Sequence, residues 1–342
     1  MQYDALLVVS FGGPESHDEV MPFLENVLRG KNVPRERMLA VAEHYYHFGG
    51  KSPINEQNRQ LIAALQVELG RHGPRLPIYW GNRNWHPLLA DTLQQMQRDG
   101  IRRALAFMTS AFSSYSGCRQ YRENIAQAQA QVGAGAPTVD KLRVFYNHPG
   151  FIGALVDRVR AALRALPEEV RGGGLVLYTA HSIPLSMAQS CDYVKQLAEA
   201  CRLVSEALGR TGDQLVFQSR SGPAAQPWLE PDVLDSLRQV KERNLAASIV
   251  LAPIGFISDH MEVLYDLDTE ARHLCAGLEL PMVRAGTVGT HPEFVRMIRE
   301  LIVERTQASP LRIALGTMGA SHDVCPENCC PAPQRPATAV RS

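Results

Sequence analysis

Short apolar segments that end in polar residues recur along the whole chain and constrain its fold more than any other feature. Eight such segments alternate with stretches of helical periodicity, at residues 5–13, 77–84, 104–113, 142–149, 175–182, 215–222, 248–256 and 281–289. Strands that are apolar on both faces are typical of parallel sheets covered by helices. The pattern therefore predicts an α/β fold, with helices at 54–70, 86–99, 119–132, 151–165, 192–208 and 292–306.

Two motifs recur in the same order in the first and second halves of the chain. The segment "NRNWHPLLAD" (82–91) resembles "SRSGPAAQPWLEPDV" (219–233), and "FYNHPGF" (145–151) resembles "TVGTHPEF" (287–294). Internal repeats of this kind indicate related structural units. We therefore predict two Rossmann-like domains, each built on a parallel four-stranded sheet, with the two sheets facing each other across a cleft.

The cleft between the two sheets is the predicted binding site, because ligands of open parallel sheets bind outside the carboxyl ends of the strands. After "SPLRIALG" the chain becomes polar and rich in proline, which predicts a tail. The predicted units are an N-terminal domain at 1–150, a C-terminal domain at 151–310 and a Cys-containing tail at 311–342.

The charge balance excludes several classes of partner. Lys and Arg together number 35, as do Asp and Glu. No block of five or six basic residues occurs, so neither nucleic-acid binding nor a polybasic membrane patch is indicated and a small-molecule ligand is favoured. No apolar stretch approaches the roughly 20 residues that span a bilayer, and the start "MQYDALLVVSFGG" lacks a basic leader. We expect a cytoplasmic protein, and the sequence does not indicate its oligomeric state.

A histidine stands at the end of one predicted strand. His181 follows "LVLYTA", at the strand terminus where an open α/β sheet presents functional side chains. Neutral imidazole accepts a proton or binds a transition metal near neutral pH. His181 is therefore a candidate catalytic or metal-binding residue, and a structural hydrogen-bonding role in the loop is the alternative.

The segment "GFISDHMEVLYDLDTE" (255–270) follows another predicted strand and is rich in acids. If it is helical from Asp259 onward, Glu262, Asp266 and Glu270 share one face at intervals of four residues. Asp259 with Glu262 also fits an acidic capping box, and the later acids also fit a solvated face. The alternative is a cation and proton path that faces the histidine, because carboxylates attract cations and take up protons.

The first half supplies groups suited to a flat apolar ligand with carboxylate arms. Phe11 and Tyr45 are candidates for stacking, and Ser52, Arg29 and Tyr121 are candidates for hydrogen bonds. Ordinary core packing is the alternative for the aromatic residues. The chain has neither an H-E-x-x-H zinc motif nor a G-x-x-x-x-G-K-[ST] phosphate loop, so hydrolase and kinase functions lack support.

The cysteines fall into two groups. Four are isolated in the chain, at Cys118, Cys191, Cys201 and Cys275. Isolated cysteines of this kind usually act as small buried hydrophobic residues. The other three crowd the tail motif "CPENCCPAP", as Cys325, Cys329 and Cys330, and need a separate explanation.

Six motifs together resemble those of the ferrochelatases. They are "SFGGP", "GGKSPIN", "GNRNW", "TAHSIP", "QSRSGP" and "PIGFISDHMEVLYDLD", and the likeness extends from about residue 3 to 310. It is strongest to bacterial members of the actinobacterial type. The resemblance implies two Rossmann-like domains around a porphyrin cleft, and insertion of Fe2+ with release of two pyrrole protons.

The resemblance also implies roles for four site residues. His181 and Glu262 match the pair that the family uses for Fe2+ binding and proton transfer, from opposite walls of the cleft. Asp266 and Glu270 match the acidic line that leads away from the glutamate.

Other positions match porphyrin-binding groups of the family. Ser52 and Tyr121 match residues that bind the carboxylate arms, and Phe11 stands where some bacterial members carry an iron-ligating tyrosine. The resemblance leaves open whether the substrate is coproporphyrin III or protoporphyrin IX. A related cobalt or nickel tetrapyrrole chelatase and a non-catalytic porphyrin or metal carrier are the alternative functions.

Many ferrochelatases hold a [2Fe–2S] cluster on three C-terminal cysteines and one earlier cysteine. The resemblance therefore implies a cluster on Cys325, Cys329 and Cys330. In the family the earlier ligand falls near Ala154, where this chain has no cysteine. The fourth ligand is unidentified, and one of the isolated cysteines would have to supply it, the choices being Cys118, Cys191, Cys201 and Cys275.

Overall fold

Two four-stranded parallel sheets form the framework of the chain. The computed structural model describes residues 2–30, 33–222, 225–307 and 311–332. The first sheet contains β1 (Ala5–Ser10), β2 (Ile78–Asn82), β3 (Arg103–Met108) and β4 (Thr138–Lys141), in the order β2-β1-β3-β4. The second contains β5 (Gly174–His181), β6 (Gln214–Gln218), β7 (Ser248–Ala252) and β8 (Met282–Arg284), in the order β6-β5-β7-β8. The predicted α/β class with two parallel four-stranded sheets is confirmed.

The same strand order in both sheets explains the repeated motifs. In each half the chain that follows the second strand of the sheet forms a short parallel bridge with the end of that strand. Asn82 N–H donates to Pro87 O at 2.7 Å in the first half, and Phe217 N–H donates to Pro231 O at 2.8 Å in the second. A helix of ten residues begins directly afterwards in both halves. The weak sequence similarity between 82–91 and 219–233 therefore corresponds to one local structure that occurs twice.

Helices cover both faces of the sheets. They are α1 (Val20–Leu28), α2 (Arg35–His47), α3 (Ile54–His72), α4 (Leu89–Arg98), α5 (Gln120–Val132), α6 (Pro149–Ala165), α7 (Glu168–Arg171), α8 (Leu185–Ala188), α9 (Tyr193–Ala207), α10 (Val233–Glu242), α11 (Met261–Val263), α12 (Arg272–Gly277) and α13 (Pro292–Thr306). Two π-helices, Tyr115–Arg119 and Leu264–Ala271, and a 3-10 turn, His17–Glu19, complete the helical elements of the described residues. Every residue of β1 and of β7 is buried, as strands covered on both faces require. Among the described residues, no helix combines the length and the apolar character needed to cross a bilayer.

The predicted strand at 142–149 is wrong. The fourth strand is β4, and Leu142 N–H makes one further sheet hydrogen bond, to Ala106 O at 2.9 Å, before the chain leaves the sheet. Arg143 is then buried in an ion pair with Glu304 of α13, at 2.8 Å. The apolar residues that follow, Phe145 among them, are buried in the core without strand pairing, and a run of apolar residues does not distinguish these two environments.

Helices α6 and α13 pack against each other, and each is capped by the histidine that precedes it. Each begins after a histidine, His148 or His291, whose Nδ1 accepts a hydrogen bond from the backbone N–H two residues later. Nε2 of His148 lies 3.6 Å from Glu300 of α13, and Nε2 of His291 lies 3.4 Å from Asp157 of α6. The two "HP" motifs therefore link α6 and α13 through reciprocal contacts. The division into domains at residue 150 stays a prediction.

Candidate active site at the carboxyl edge of the second sheet

His181 is the last residue of β5 and projects at the carboxyl edge of the sheet. Its Nδ1 lies 2.5 Å from the carbonyl oxygen of Ser182, and the hydroxyl of Tyr193 donates to the His181 carbonyl at 3.0 Å. With Nδ1–H donating to a backbone carbonyl, Nε2 is the nitrogen that faces the cleft. Nε2 lies 3.5 Å from Oε1 of Glu262, and 30% of the histidine side chain is exposed.

Glu262 lies between two imidazoles. Its second oxygen, Oε2, is 3.8 Å from Nδ1 of His260. The resemblance implied that Glu262 faces His181 from the opposite wall, whereas the two residues lie side by side. The reason is the sheet order, because β5 and β7 are neighbours and the segment after β7 carries the glutamate. Sequence reasoning missed His260, and its position two residues before Glu262 was the available signal.

Charge stabilises the His181–Glu262 pair. Burial alone would lower the pKa of His181, but the adjacent Glu262 carboxylate outweighs it and raises the pKa. Burial likewise opposes ionisation of Glu262, and the positive charge of His181 nevertheless holds its pKa well below the usual range. At neutral pH the pair is therefore an imidazolium and a carboxylate. Burial lowers the pKa of His260, which leaves that ring neutral.

The acidic segment is helical from Met261 onward, two residues later than predicted. Glu262 lies in α11, and Asp266 and Glu270 lie in the π-helix Leu264–Ala271. A π-helix has wider turns than an α-helix and is frequent at functional sites. The capping-box interpretation is wrong, because the N-cap residue is His260 and the carboxylate of Asp259 pairs with Arg284 at 3.1 Å.

Asp266 occupies a polar recess beside the pair. The hydroxyl of Ser219 donates a short hydrogen bond to Asp266, and Nε2 of Gln218, at the end of β6, lies 3.3 Å from its Oδ2. Burial raises the pKa of Asp266 to about 7 although the Ser219 hydrogen bond lowers it, and the negative charges of Glu262 and Glu270 add to the rise. Asp266 therefore exchanges a proton close to neutral pH. Glu270 is exposed at the end of this line, and burial followed by the charge of Asp232 raises its pKa.

The first half of the chain places a group of aromatic residues, Phe11, Phe23 and Tyr45, near the His181–Glu262 pair. Phe23 contacts both Phe11 and Tyr45, with ring centroids 6.3 and 5.7 Å apart. Burial and the charge of Glu262 both raise the pKa of Tyr45, so this phenol lies within electrostatic range of the carboxylate. Phe11 is 37% exposed, so part of its ring remains available to a ligand.

Helix α2 also contacts the π-helix directly. The ring of His44 stacks on Tyr265 with centroids 3.6 Å apart, and His47 meets Tyr265 edge to face at 6.5 Å. These contacts join α2 to the π-helix that carries Asp266 and Glu270. The structure therefore brings Tyr45 to the same cleft as His181 and Glu262.

The remaining predicted porphyrin-binding residues lie in different surroundings. Ser52 and Tyr121 are 2% and 5% exposed, and the guanidinium of Arg83 covers the Tyr121 ring at 4.4 Å. Arg29 is exposed at the end of α1. Arg83, which also lies 5.8 Å from the Phe11 ring, was missed although it directly follows β2, at the ligand-binding edge of the sheet.

The described part of the tail lies against the first half. Arg119 donates to the carbonyl of Glu327 at 3.1 Å, and Lys141 donates to the carbonyl of His322 at 3.2 Å. These contacts bring the tail cysteines to Cys118, whose thiol hydrogen-bonds Cys325.

The tail thiols form one group. Cys325 interacts with Cys329, the sulfur atoms of Cys329 and Cys330 lie 3.6 Å apart, and Nε2 of His322 lies 3.7 Å from the Cys329 sulfur. The ligand atoms of His322, Cys325 and Cys329 all lie within 4.8 Å of one another, an arrangement that can hold a metal ion.

A groove of about 500 Å³ at the amino ends of β5, β6 and β7 is not part of this site. Glycines dominate its lining, and its charged side chain, Arg210, is already bonded to Asp213 at 2.8 Å.

Solved structures identify the class of the fold. The sirohydrochlorin chelatase SirB from Bacillus subtilis subspecies spizizenii, in complex with cobalt, matches with a TM-score of 0.54 at 11% identity, over 90% of this chain and 96% of SirB. At this identity the likeness concerns the fold alone. The chain has the two-sheet fold of a chelatase.

Sequence comparisons identify the family. The ferrochelatase family model matches residues 3–306. A ferrochelatase of Rhodopirellula baltica is 60% identical, over 98% of this chain and 96% of its own length. A coproporphyrin III ferrochelatase of Streptomyces coelicolor is 51% identical, also over 98% of this chain and 96% of its own length. The chain belongs to the ferrochelatases, enzymes that insert ferrous iron into a porphyrin in heme biosynthesis, and the recognition from the motifs is confirmed.

The raised pKa of Asp266 predicts a pH-dependent stability. The folded state holds a proton on Asp266 up to about pH 7, whereas the unfolded state releases it near pH 3.8. Stability from this group is therefore present at low pH and is lost as the pH rises towards 7. We expect Asp266→Asn to become progressively more stable relative to wild type between pH 4 and 7, measured by denaturant unfolding. The fully exposed Asp18→Asn is the control, and parallel curves for wild type and Asp266→Asn would contradict the prediction.

Proposed function

We propose that this enzyme inserts Fe2+ into coproporphyrin III, with His181 and Glu262 as the residues at the reacting centre. The observation that carries the assignment of residues is the 3.5 Å contact between His181 Nε2 and Glu262 Oε1 at the carboxyl edge of the second sheet, within electrostatic range of Tyr45. The choice of porphyrin is supported by relatives such as the S. coelicolor coproporphyrin III ferrochelatase.

The porphyrin would lie between the aromatic group of the first half and the pair on the second sheet. Phe11 offers an exposed ring face for stacking, and Tyr45 faces Glu262. Arg83 beside Phe11 and the exposed Arg29 are candidates to pair with carboxylate arms. Ser52 and Tyr121 would need a rearrangement to contact the ligand, because both are buried.

The charge state of the pair suggests how the protons leave. In the ion pair His181 is protonated and therefore cannot accept a pyrrole proton. When Fe2+, the metal substrate, binds Glu262, it cancels the negative charge that raises the pKa of His181. The imidazole then loses its proton and becomes a base for a pyrrole N–H.

Asp266 is suited to take the released proton. Its pKa of about 7 lets it bind and release a proton at neutral pH, and it interacts electrostatically with both members of the pair. Glu270, exposed at the outer end of the line, would pass the proton to water or admit the incoming cation. Binding a distorted macrocycle would complete the catalysis, because the metal must reach pyrrole nitrogens that the flat ring shields.

Comparison of two porphyrins tests the substrate. Coproporphyrin III has four propionate arms and protoporphyrin IX has two, so the same active site will favour one of them through its cationic residues. We expect anaerobic incubation with Fe2+ to give a higher kcat/KM for coproporphyrin III, followed by absorbance of the metalloporphyrin. A preference for protoporphyrin IX would overturn the substrate assignment. A single equivalent of product would indicate a carrier, and turnover with Co2+ or Ni2+ but not Fe2+ would indicate a different chelatase.

Substitution of the histidine tests the reacting centre. We expect His181→Ala to lose Fe2+ insertion by at least about 100-fold, the range of a lost general base, while fluorescence quenching still reports porphyrin binding. His291→Ala, a helix cap outside the cleft, is the control and should retain turnover. Normal turnover by His181→Ala would refute the assignment.

We also propose that the tail cysteines hold a [2Fe–2S] cluster with Cys118 as the fourth ligand. The thiol contacts support a four-sulfur set of Cys118, Cys325, Cys329 and Cys330. Hydrogen bonding from Cys118, together with the positive charges of Lys141 and Arg122, lowers the pKa of Cys325 and favours the thiolate that a cluster needs. When bound, such a cluster would supply electron-transfer capacity and would tie the tail to the first half.

The other isolated cysteines are less suitable ligands. Cys201 and Cys275 belong to hydrophobic cores, and the Cys191 thiol donates to the Met187 carbonyl at 3.2 Å.

A cytoplasmic location stays a prediction from the sequence.

Removal of one thiol tests the fourth ligand. We expect anaerobically purified Cys118→Ala to lose the red-brown colour and most of its non-heme iron and acid-labile sulfide. Cys275→Ala removes a thiol of equal burial, 2% exposed against 3%, and should keep both. Wild-type protein without iron and sulfide would exclude the cluster, and a coloured Cys118→Ala would exclude this ligand.

A further inference from the structure

Arg284 divides the acids of the segment 259–270 into two groups. It is the last residue of β8, and its guanidinium contacts two carboxylates at once. Nε lies 2.8 and 2.9 Å from the two oxygens of Asp268, and Nη1 lies 3.1 Å from Asp259. All three side chains are largely buried, between 14% and 20% exposed. Glu262, Asp266 and Glu270 lack this contact and form the line at the cleft.

Asp259 is held from both halves of the chain. Its backbone N–H donates to Oε1 of Gln57, on α3, at 2.8 Å, and its carboxylate accepts from Thr287 at 3.4 Å as well as from Arg284. The residue that follows is His260, and Glu262 lies two positions further on. Arg284 therefore holds Asp259 in place, and with it the short segment 259–262 that ends at Glu262, the proposed metal-binding residue.

Without the arginine, the same atoms would attract a divalent cation. Two carboxylates and a threonine hydroxyl are hard oxygen ligands of the kind that Mn2+ and Mg2+ prefer. One guanidinium contacts both carboxylates, Asp268 through Nε and Asp259 through Nη1, so the two acids flank the same group. Loss of Arg284 would remove the cationic partner of Asp259 and leave Asp268 with only the exposed Arg272, which is unfavourable unless another cation replaces the guanidinium.

We propose that Arg284 is a positioning residue that acts as a built-in cation: it occupies the site between Asp259 and Asp268, keeps divalent ions out of it, and fixes the segment leading to Glu262. Incoming Fe2+ is thereby restricted to the Glu262–Asp266 side. This inference rests on the proposed function for its role in catalysis, while the cation-excluding role is a property of the folded chain and is measured without turnover.

The experiment is a Mn2+ titration followed by electron paramagnetic resonance of the free ion. We expect Arg284→Met to bind one more equivalent of Mn2+ than wild type. Arg272→Met is the matched control, because Arg272 also contacts Asp268, at 3.2 Å, but is 58% exposed and does not lie between the two acids. It should bind the same number of equivalents as wild type. The double variant Arg284→Met with Asp268→Asn should lose the extra equivalent.

Activity supplies the second readout. We expect kcat for Fe2+ insertion to fall about 10- to 100-fold in Arg284→Met, the usual effect of removing an outer-shell partner, with an unchanged porphyrin KM. Arg284→Lys keeps the charge and should bind no extra Mn2+. If Arg284→Met does not fold, Arg284→Gln is titrated in its place.

Two outcomes separate this inference from the proposed function. Wild-type stoichiometry in the folded Arg284 variant would overturn the inference, whatever its activity. Wild type without Fe2+ turnover would overturn the proposed function, while an extra Mn2+ in Arg284→Met would still support the cation-excluding role.

Discussion

The order of the strands in the second sheet is the constraint on which the active site depends. Since β5 lies between β6 and β7, the residues at their carboxyl ends are neighbours in space although they are far apart in the chain. His181 ends β5, Gln218 ends β6, and Glu262 follows β7. The imidazole, the carboxylate and the amide that contacts Asp266 therefore meet because parallel strands present their carboxyl ends at one edge.

Electrostatics then gives each acidic group a separate task. Glu262 is ionised because a protonated imidazole faces it, whereas Asp266 retains its proton to about pH 7 because it is buried near other acids. Asp259 and Asp268 share Arg284, and Asp268 also pairs with Arg272. The like charges that repel in an isolated helix thus become tolerable in the folded protein, since each has a different partner or protonation state.

The two halves share a strand order but present different chemistry at their sheet edges. The first half offers aromatic and basic side chains such as Phe11 and Arg83, which suit a flat ligand with carboxylate arms. The second half offers the groups that suit a metal and protons. Contacts between the halves, including the His44–Tyr265 stack and the Asp259–Gln57 hydrogen bond, set the two edges against each other. The two halves therefore share one strand order while their sheet edges carry different residues.

The sequence by itself determined the fold class, seven of the eight strands and the family, because burial on both faces and helical periodicity are local patterns and the motifs are specific. It also indicated His181 and the acidic segment, since both follow a recognisable strand. Only the tertiary structure decided which acids face the histidine: spacing by four residues groups Glu262, Asp266 and Glu270, but the pairing of Asp259 with Arg284 depends on β8 lying beside β7. The apolar segment at 142–149 was misread for the same reason, because its burial comes from packing against α13 and the core and not from a sheet. Cys118 could not be told from the other isolated cysteines until the chain fold brought the tail to it, since contacts across two hundred residues leave no trace in local sequence.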